Sequence, residues 1–343
     1  MIISSKNIEK EIFEPIDLCK SNGELNPSCV GWARGPLFNC NLSGHWLRKK
    51  KWNYWCATSD ECLFSATISD IDYAGMVFIY FLDFKTEKFI EKTITTPFGK
   101  GCQMPDNVDE TVIFENSDLS LSLLREQNCT HIIAVCKDFG GYPLEADILV
   151  APPEGNETLN VVIPWNKKTF QFTSKQEGLP SSGSLRVGDL HYSFESDRAF
   201  SCLDFGRGVW PYKISWNWAT ASGMENGRRL GLNLGAKWTD NTGLTENGVF
   251  VDGRLTKISE DVAFDYDAQN IMNTWKIKSS KTDSVNLEFS PFYERIAKSN
   301  LVIITSEVHQ MVGYFSGYIK TEDGELIKIE HLLGCAESHI AKW

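Results

Sequence analysis

The chain has 343 residues, room for two domains or one large β domain, and its 42% apolar and 23% charged composition is that of a globular protein. Lys plus Arg total 34 against 45 Asp plus Glu, and the resulting net charge of −11 disfavours polyanion partners such as nucleic acid. No stretch approaches the roughly 18 apolar residues of a membrane helix, and the opening MIISSKNIEKEIFEP meets acidic residues too early for a secretory signal, so a cytoplasmic location is expected.

In chain order, short runs rich in Val, Ile, Phe, Trp and Thr alternate with Gly, Asn, Asp and Pro punctuation, the rhythm of an all-β chain. The expected strands include Phe64–Asp70, Met76–Phe84, Ile132–Cys136, Asp147–Val150, Asn160–Pro164, Phe170–Thr173, Val209–Thr220, Phe264–Tyr266, Val302–Val308 and Gly313–Ile319. The clearest carries Trp210, Tyr212, Ile214, Trp216 and Trp218 at period two, which places five large side chains on one face. A short helix is expected over His331–Lys342.

The two halves repeat. Gly44-His45-Trp46-Leu47-Arg48-Lys49-Lys50-Lys51-Trp52-Asn53-Tyr54 matches Gly208-Val209-Trp210-Pro211-Tyr212-Lys213-Ile214-Ser215-Trp216-Asn217-Trp218 without a gap. Farther on, the Phe81-x-Asp83-x-Lys85 segment matches Phe250-x-Asp252-x-Arg254, read as strand, Asp-containing turn, strand. Two similar β domains are therefore expected, at 1–175 and 190–343, with the Ser-, Gly- and Pro-rich stretch near 175–190 as their linker. Long antiparallel strands must deal with their edges, and closure into a barrel removes them. Two tandem lipocalin-like antiparallel β-barrels packed together are the favoured architecture, with paired sandwiches second.

Several motifs resemble a known family: Gly31-Trp32-Ala33-Arg34-Gly35-Pro36-Leu37, Lys49-Lys50-Lys51-Trp52-Asn53-Tyr54-Trp55, Phe205-Gly206-Arg207-Gly208-Val209-Trp210-Pro211-Tyr212 and Gly231-Leu232-Asn233-Leu234-Gly235. They are similar to the family called domain of unknown function 2804, over about residues 12–335. That family more distantly resembles the two-barrel, lipocalin-like group of carotenoid hydratases and tocopherol cyclases. The distant resemblance implies a large, mostly apolar ligand and acid/base chemistry without a metal or organic cofactor. The chain departs from the nearer family's pattern at Asn53, where an acid is expected, and at Gly35, where a basic residue is expected.

The densest chemical cluster runs from Asp204 to Asn247. Candidate catalytic residues are Asp204, Arg207, Tyr212 and Glu246: a carboxylate withdrawn from water has a raised pKa, and an adjacent Arg or Tyr orients a substrate. Candidate ligand-binding residues are Trp46, Arg48, Trp52, Tyr54, Asp70, Asp72, Trp210, Trp216, Trp218, Asn233 and Asn247. Their aromatic rings serve either a barrel core or a pocket wall. Gly206 and Gly208 flank Arg207 and would let backbone approach a ligand. Glu246 and Asn247 lie in a Gly- and Asn-rich stretch that reads as a turn or a pocket mouth, and Asp70 and Asp72 as one face of a strand end. The basic run Arg48–Lys51 would cradle an anion, stack on rings or shield a strand edge. No C-x-x-C pair occurs among the ten cysteines, which are expected to be reduced and mostly buried. The six histidines form no local metal motif, and no nucleotide loop or serine elbow is present.

Three functions remain open. The first is a cofactor-independent hydratase, isomerase or cyclase on an apolar small molecule. The second is a carrier of a lipid or other hydrophobic ligand. The third is a carbohydrate-processing or carbohydrate-binding protein, in which a retaining carboxylate pair would stand about 5–5.5 Å apart.

Overall fold

The structure, a computed structural model, describes residues 9–301 and 304–343. The start of the opening segment, residues 1–8, and residues 302–303 of the expected Val302–Val308 strand lie outside the described residues. Three short strands, β1 (Ile16–Asp17), β2 (Trp32–Ala33) and β3 (Phe38–Asn39), precede the meander β4 (Lys49–Thr58), β5 (Cys62–Asp70), β6 (Ala74–Asp83) and β7 (Phe89–Pro97). After a crossing segment come β8 (Val112–Glu115), β9 (Leu119–Glu126), β10 (Cys129–Phe139), β11 (Tyr142–Val150), β12 (Leu159–Pro164), β13 (Phe170–Val187), β14 (Leu190–Phe194) and β15 (Phe200–Val209). The second set is β16 (Lys213–Glu225), β17 (Arg228–Ala236), β18 (Gly248–Val251), β19 (Arg254–Lys257), β20 (Val262–Asp265), β21 (Trp275–Ser279), β22 (Val285–Leu301), β23 (Ile304–Lys320) and β24 (Leu326–Lys342).

Two curled antiparallel sheets result. The first has the order β7-β6-β5-β4-β15-β13-β11-β10-β9-β8, with β12 and β14 also on β13 and β2 on β12. The second has the order β19-β18-β17-β16-β24-β23-β22-β21-β20. In each, the last long strand returns to pair the first strand of the opening meander: β15 on β4, and β24 on β16. Each sheet thus rolls into a barrel whose unpaired gap falls after the fourth meander strand. The duplication is visible in register, for β4 begins at Lys49 and β16 at Lys213, an offset of 213 − 49 = 164 that equals the offset of the sequence repeat.

Period-two alternation sends one set of side chains inward. Leu63, which faces the seam, alternates with Phe64, Ala66 and Ile68 of the first interior cluster; Leu230, Leu232, Leu234, Ile277, Phe289 and Phe315 belong to the second. Both interiors are filled by these apolar side chains, each worth about 1.5–3 kcal/mol when fully removed from water. All ten cysteines are free, nine of them buried. No helix among the described residues is long and apolar enough to cross a membrane.

Three expectations are corrected. The stretch read as a linker lies largely within β13, whose 18 residues pair with β15 through Phe170–Pro180 and with β11 through Ser181–Val187. Its polar composition is tolerated because buried groups find partners: the Ser181 and Ser201 hydroxyls bond at 2.7 Å, and the Gly178 N–H donates to Ser222. The first sheet consequently continues to Val209, and the expected Val209–Thr220 strand breaks at residues 210–212 between β15 and β16. Finally, His331–Lys342 is strand, because β24 is held on both sides by β16 and β23, and that ladder overrides its local helical composition.

Candidate active site

The outward faces of β4, β13 and β15 press against the outward faces of β16, β17 and β24. Alternation therefore selects Lys50, Trp52, Tyr54 and Cys56 from β4 and Trp216, Trp218, Thr220 and Ser222 from β16 for this seam. Their cross-strand partners join them: Asp204 stands opposite Tyr54, and Glu337 opposite Trp218.

Lys175 lies at the centre. Its Nζ is 2.9 Å from Asp204 Oδ1 and 3.1 Å from Glu246 Oε2, and 4.7 Å from the centre of the Trp218 ring. Burial alone would lower its pKa, but Asp204 and Glu246 outweigh that and hold the ammonium charged. The Glu246 carboxyl is raised by burial, which Lys175 only partly offsets. Trp238 Nε1 donates to Glu246 Oε1 at 2.6 Å, and the Trp218 indole donates to Asn233, whose amide donates to the Glu246 carbonyl. A side chain at Gly235 would collide with Glu246, so the glycine makes room for the carboxyl.

A third carboxyl closes the cluster. Glu337 accepts from Trp216 Nε1 at 2.8 Å and is pushed up to about 7, by burial first and by the charge of Asp204 among the lesser causes. Beside it, the Tyr54 and Tyr80 hydroxyls bond at 2.7 Å, and the Tyr80 hydroxyl donates to Gln310 at 2.7 Å. Arg295 clamps Glu91 with two hydrogen bonds and lies over the Tyr80 ring. Next to these groups is a cavity of about 20 Å³ lined by Cys56, Cys202, Thr220 and Cys335, space for one water.

The expected site residues divide. Asp204, Glu246, Tyr54, Trp216, Trp218 and Asn233 meet in the seam. Arg207 does not, because three positions from Asp204 an alternating strand has turned to its other face, here the interior of the first barrel. There it donates to the carbonyls of Pro105, Trp52 and Gly206 and to Asn53 Oδ1, all at 2.8–2.9 Å. Burial pulls its pKa down to about 9. Gly206 and Gly208 lie against Trp52 and Gln171, whose side chains fill the space a Cβ would need. Trp210 and Trp52 pack in a tryptophan cluster with Trp165, Trp238 and Trp343, and Trp210 donates to Gln171. Trp46 is 77% exposed and Tyr212 45%. Asp70 and Asp72 share no strand face: Asp72 has φ 77° in the turn after β5, where it accepts from the Arg48 N–H and pairs with Lys49. Arg48 itself donates to the Trp210 carbonyl. Asn247 is structural, bridging the Gly235 N–H and the Glu260 carbonyl.

The family profile "Domain of unknown function (DUF2804)" matches residues 9–343. The chain belongs to the DUF2804 family. No curated protein matches it in sequence. Among solved structures it is similar to CghA, with TM-score 0.50, 9% identity, and 86% of this chain and 88% of that chain covered. It is similar to CghA with Sch210972 at TM-score 0.51 and 8% identity, over the same shares of the two chains. Kievitone hydratase from Nectria haematococca gives TM-score 0.46 at 10% identity, covering 97% of this chain and 98% of that one. The CghA matches establish a shared fold for this DUF2804 chain.

Sequence reading missed Lys175, Glu337 and Gln310. Lys175 was hidden in a stretch read as linker, and Glu337 in one read as helix. For Glu337 the available signal was the period-two spacing of Leu333, Cys335 and Glu337, which a strand such as β24 puts on one face.

Proposed function

We propose that this chain is an acid/base enzyme of the hydratase, isomerase or cyclase type, acting in the seam between the barrels on a largely apolar small molecule. The observation that carries this reading is the Glu337 carboxyl, raised to about 7 near an Asp204 that is paired with Lys175. A carboxyl with a pKa near the working pH delivers a proton efficiently, and a carboxylate held beside an ammonium is placed to accept one. Glu337 is the acid, Asp204 the base, and the Tyr54–Tyr80–Gln310 chain orients the reacting oxygen. The rings of Trp216 and Trp218 face any cation that develops.

A carrier that holds its ligand inside a barrel is disfavoured, because side chains fill both barrel interiors. The carbohydrate reading loses support because the Lys175 ammonium occupies the space between Asp204 and Glu246 that a sugar's anomeric carbon would need.

The test is mass spectrometry of a small-molecule extract incubated with the protein. Wild type is expected to give a product that differs by one water or is isobaric with its precursor, and folded Asp204→Asn and Glu337→Gln are expected to be inert. A folded Asp204→Asn that converts the same compound as fast as wild type would overturn the assignment. An unchanged ligand that co-purifies without turnover would establish the carrier.

A further inference from the structure

The basic run at the start of β4 contains one lysine with no carboxylate partner among the described residues. Arg48 donates to a carbonyl, Lys49 pairs with Asp72, and Lys51 pairs with Asp106 on the opposite face. Lys50 is 1% exposed and lies in no ion pair among the described residues. Among the described residues one of its three protons is used, on the Ile71 carbonyl at 3.0 Å. The ammonium stands 4.4 Å from the centre of the Tyr73 ring and 5.7 Å from that of Trp343. The Tyr73 hydroxyl and Trp343 Nε1 are themselves buried atoms without a hydrogen-bond partner among the described residues.

Two aromatic rings, each with an unpaired polar atom, therefore flank one buried ammonium whose acceptor among the described residues is the Ile71 carbonyl. Burying a charge outside any close ion pair is unfavourable, and burial pulls Lys50 down to about 8, which the charges of Asp72 and Asp70 only partly offset. An acceptor carrying negative charge would answer both deficits, and the two aromatic rings suit an organic rather than a hydrated inorganic anion.

We propose that Lys50, Tyr73 and Trp343 bind the carboxylate end of an amphipathic ligand. Lys50, Trp52 and Tyr54 share one face of β4, and four residues of strand span about 13 Å. A carboxylate at Lys50 thus sits on the same strand face as the seam, and the ligand's apolar end packs on the rings of Tyr73 and Trp343. The site is read by binding, so it stands or falls independently of turnover.

The test is calorimetric titration of the intact chain with decanoate, with decanol as the uncharged counterpart and decyl phosphate as the rival anion. Decanoate is expected to bind wild type more tightly than either. Lys50→Met should weaken it at least about tenfold, in line with loss of a charged hydrogen bond. Trp343→Phe and Tyr73→Phe should each weaken it several-fold without changing charge, and they decide the matter if Lys50→Met fails to fold. Lys51→Met should leave it unchanged. Equal affinity for decanoate and decanol, no decanoate binding, wild-type affinity in the folded Lys50→Met or in both conservative variants, or preference for decyl phosphate would each overturn the proposal.

Discussion

Two buried cations lie on opposite faces of the same sheet, and their partners differ in kind. Arg207 points into the first barrel and rests on three carbonyls and one amide oxygen, all neutral. Lys175 points into the seam and rests on two carboxylates. The arginine's fork reaches across to Pro105 in the crossing segment between β7 and β8, so it ties that segment to the barrel wall. The lysine instead sets the charge state of groups that can exchange protons. Charge alone does not distinguish them; the acceptor type does, because neutral acceptors satisfy geometry while carboxylates couple to titration.

The largest effect is expected at the structural cation. Arg207→Met leaves several buried acceptors without donors and should lower the unfolding free energy by about 4 kcal/mol, read from the urea midpoint. Loss of less than about 1 kcal/mol would show that water replaces the guanidinium and would dissolve the contrast. At the seam, Lys175→Met should cost about 3 kcal/mol by stranding two buried carboxylates. Adding Asp204→Asn and Glu246→Gln should restore most of that loss, whereas the same pair of substitutions has nothing to restore in Arg207→Met.

The smallest effect is a pH dependence. Glu337 has its pKa raised from 4.5 to about 7, so the folded state holds a proton that the unfolded state has released; its contribution is present below pH 4.5 and is lost as pH rises to about 7. His339, packed against Trp216 and kept neutral by burial, is lowered from 6.5 to about 3, so its contribution is present above pH 6.5 and lost as pH falls toward 3. The two slopes oppose each other between 4.5 and 6.5. Glu337→Gln should therefore unmask the histidine slope there and remove the remaining fall between 6.5 and 7. Superposed stability profiles of variant and parent would show that Glu337 ionises normally in the fold, and the seam would lose its acid.

The strand alternation, the doubled aromatic strand and the family motifs were legible from residue order, since period-two patterning and local repeats are properties of neighbours along the chain. The same alternation also held a warning that Asp204 and Arg207, an odd number of positions apart, belong to different faces. Asn53, noted as a departure where an acid was expected, proves to be the neutral partner of Arg207. What the linear order did not contain was the meeting of residues 54, 175, 204, 246 and 337. Those five come from strands and a loop brought together only when each sheet curls back on its first strand and the two outer faces close. A lysine in a Ser-rich stretch and a glutamate in a helix-like tail carry no local mark of their role. Burial and opposite charge assign it, and both exist only after the two barrels have packed.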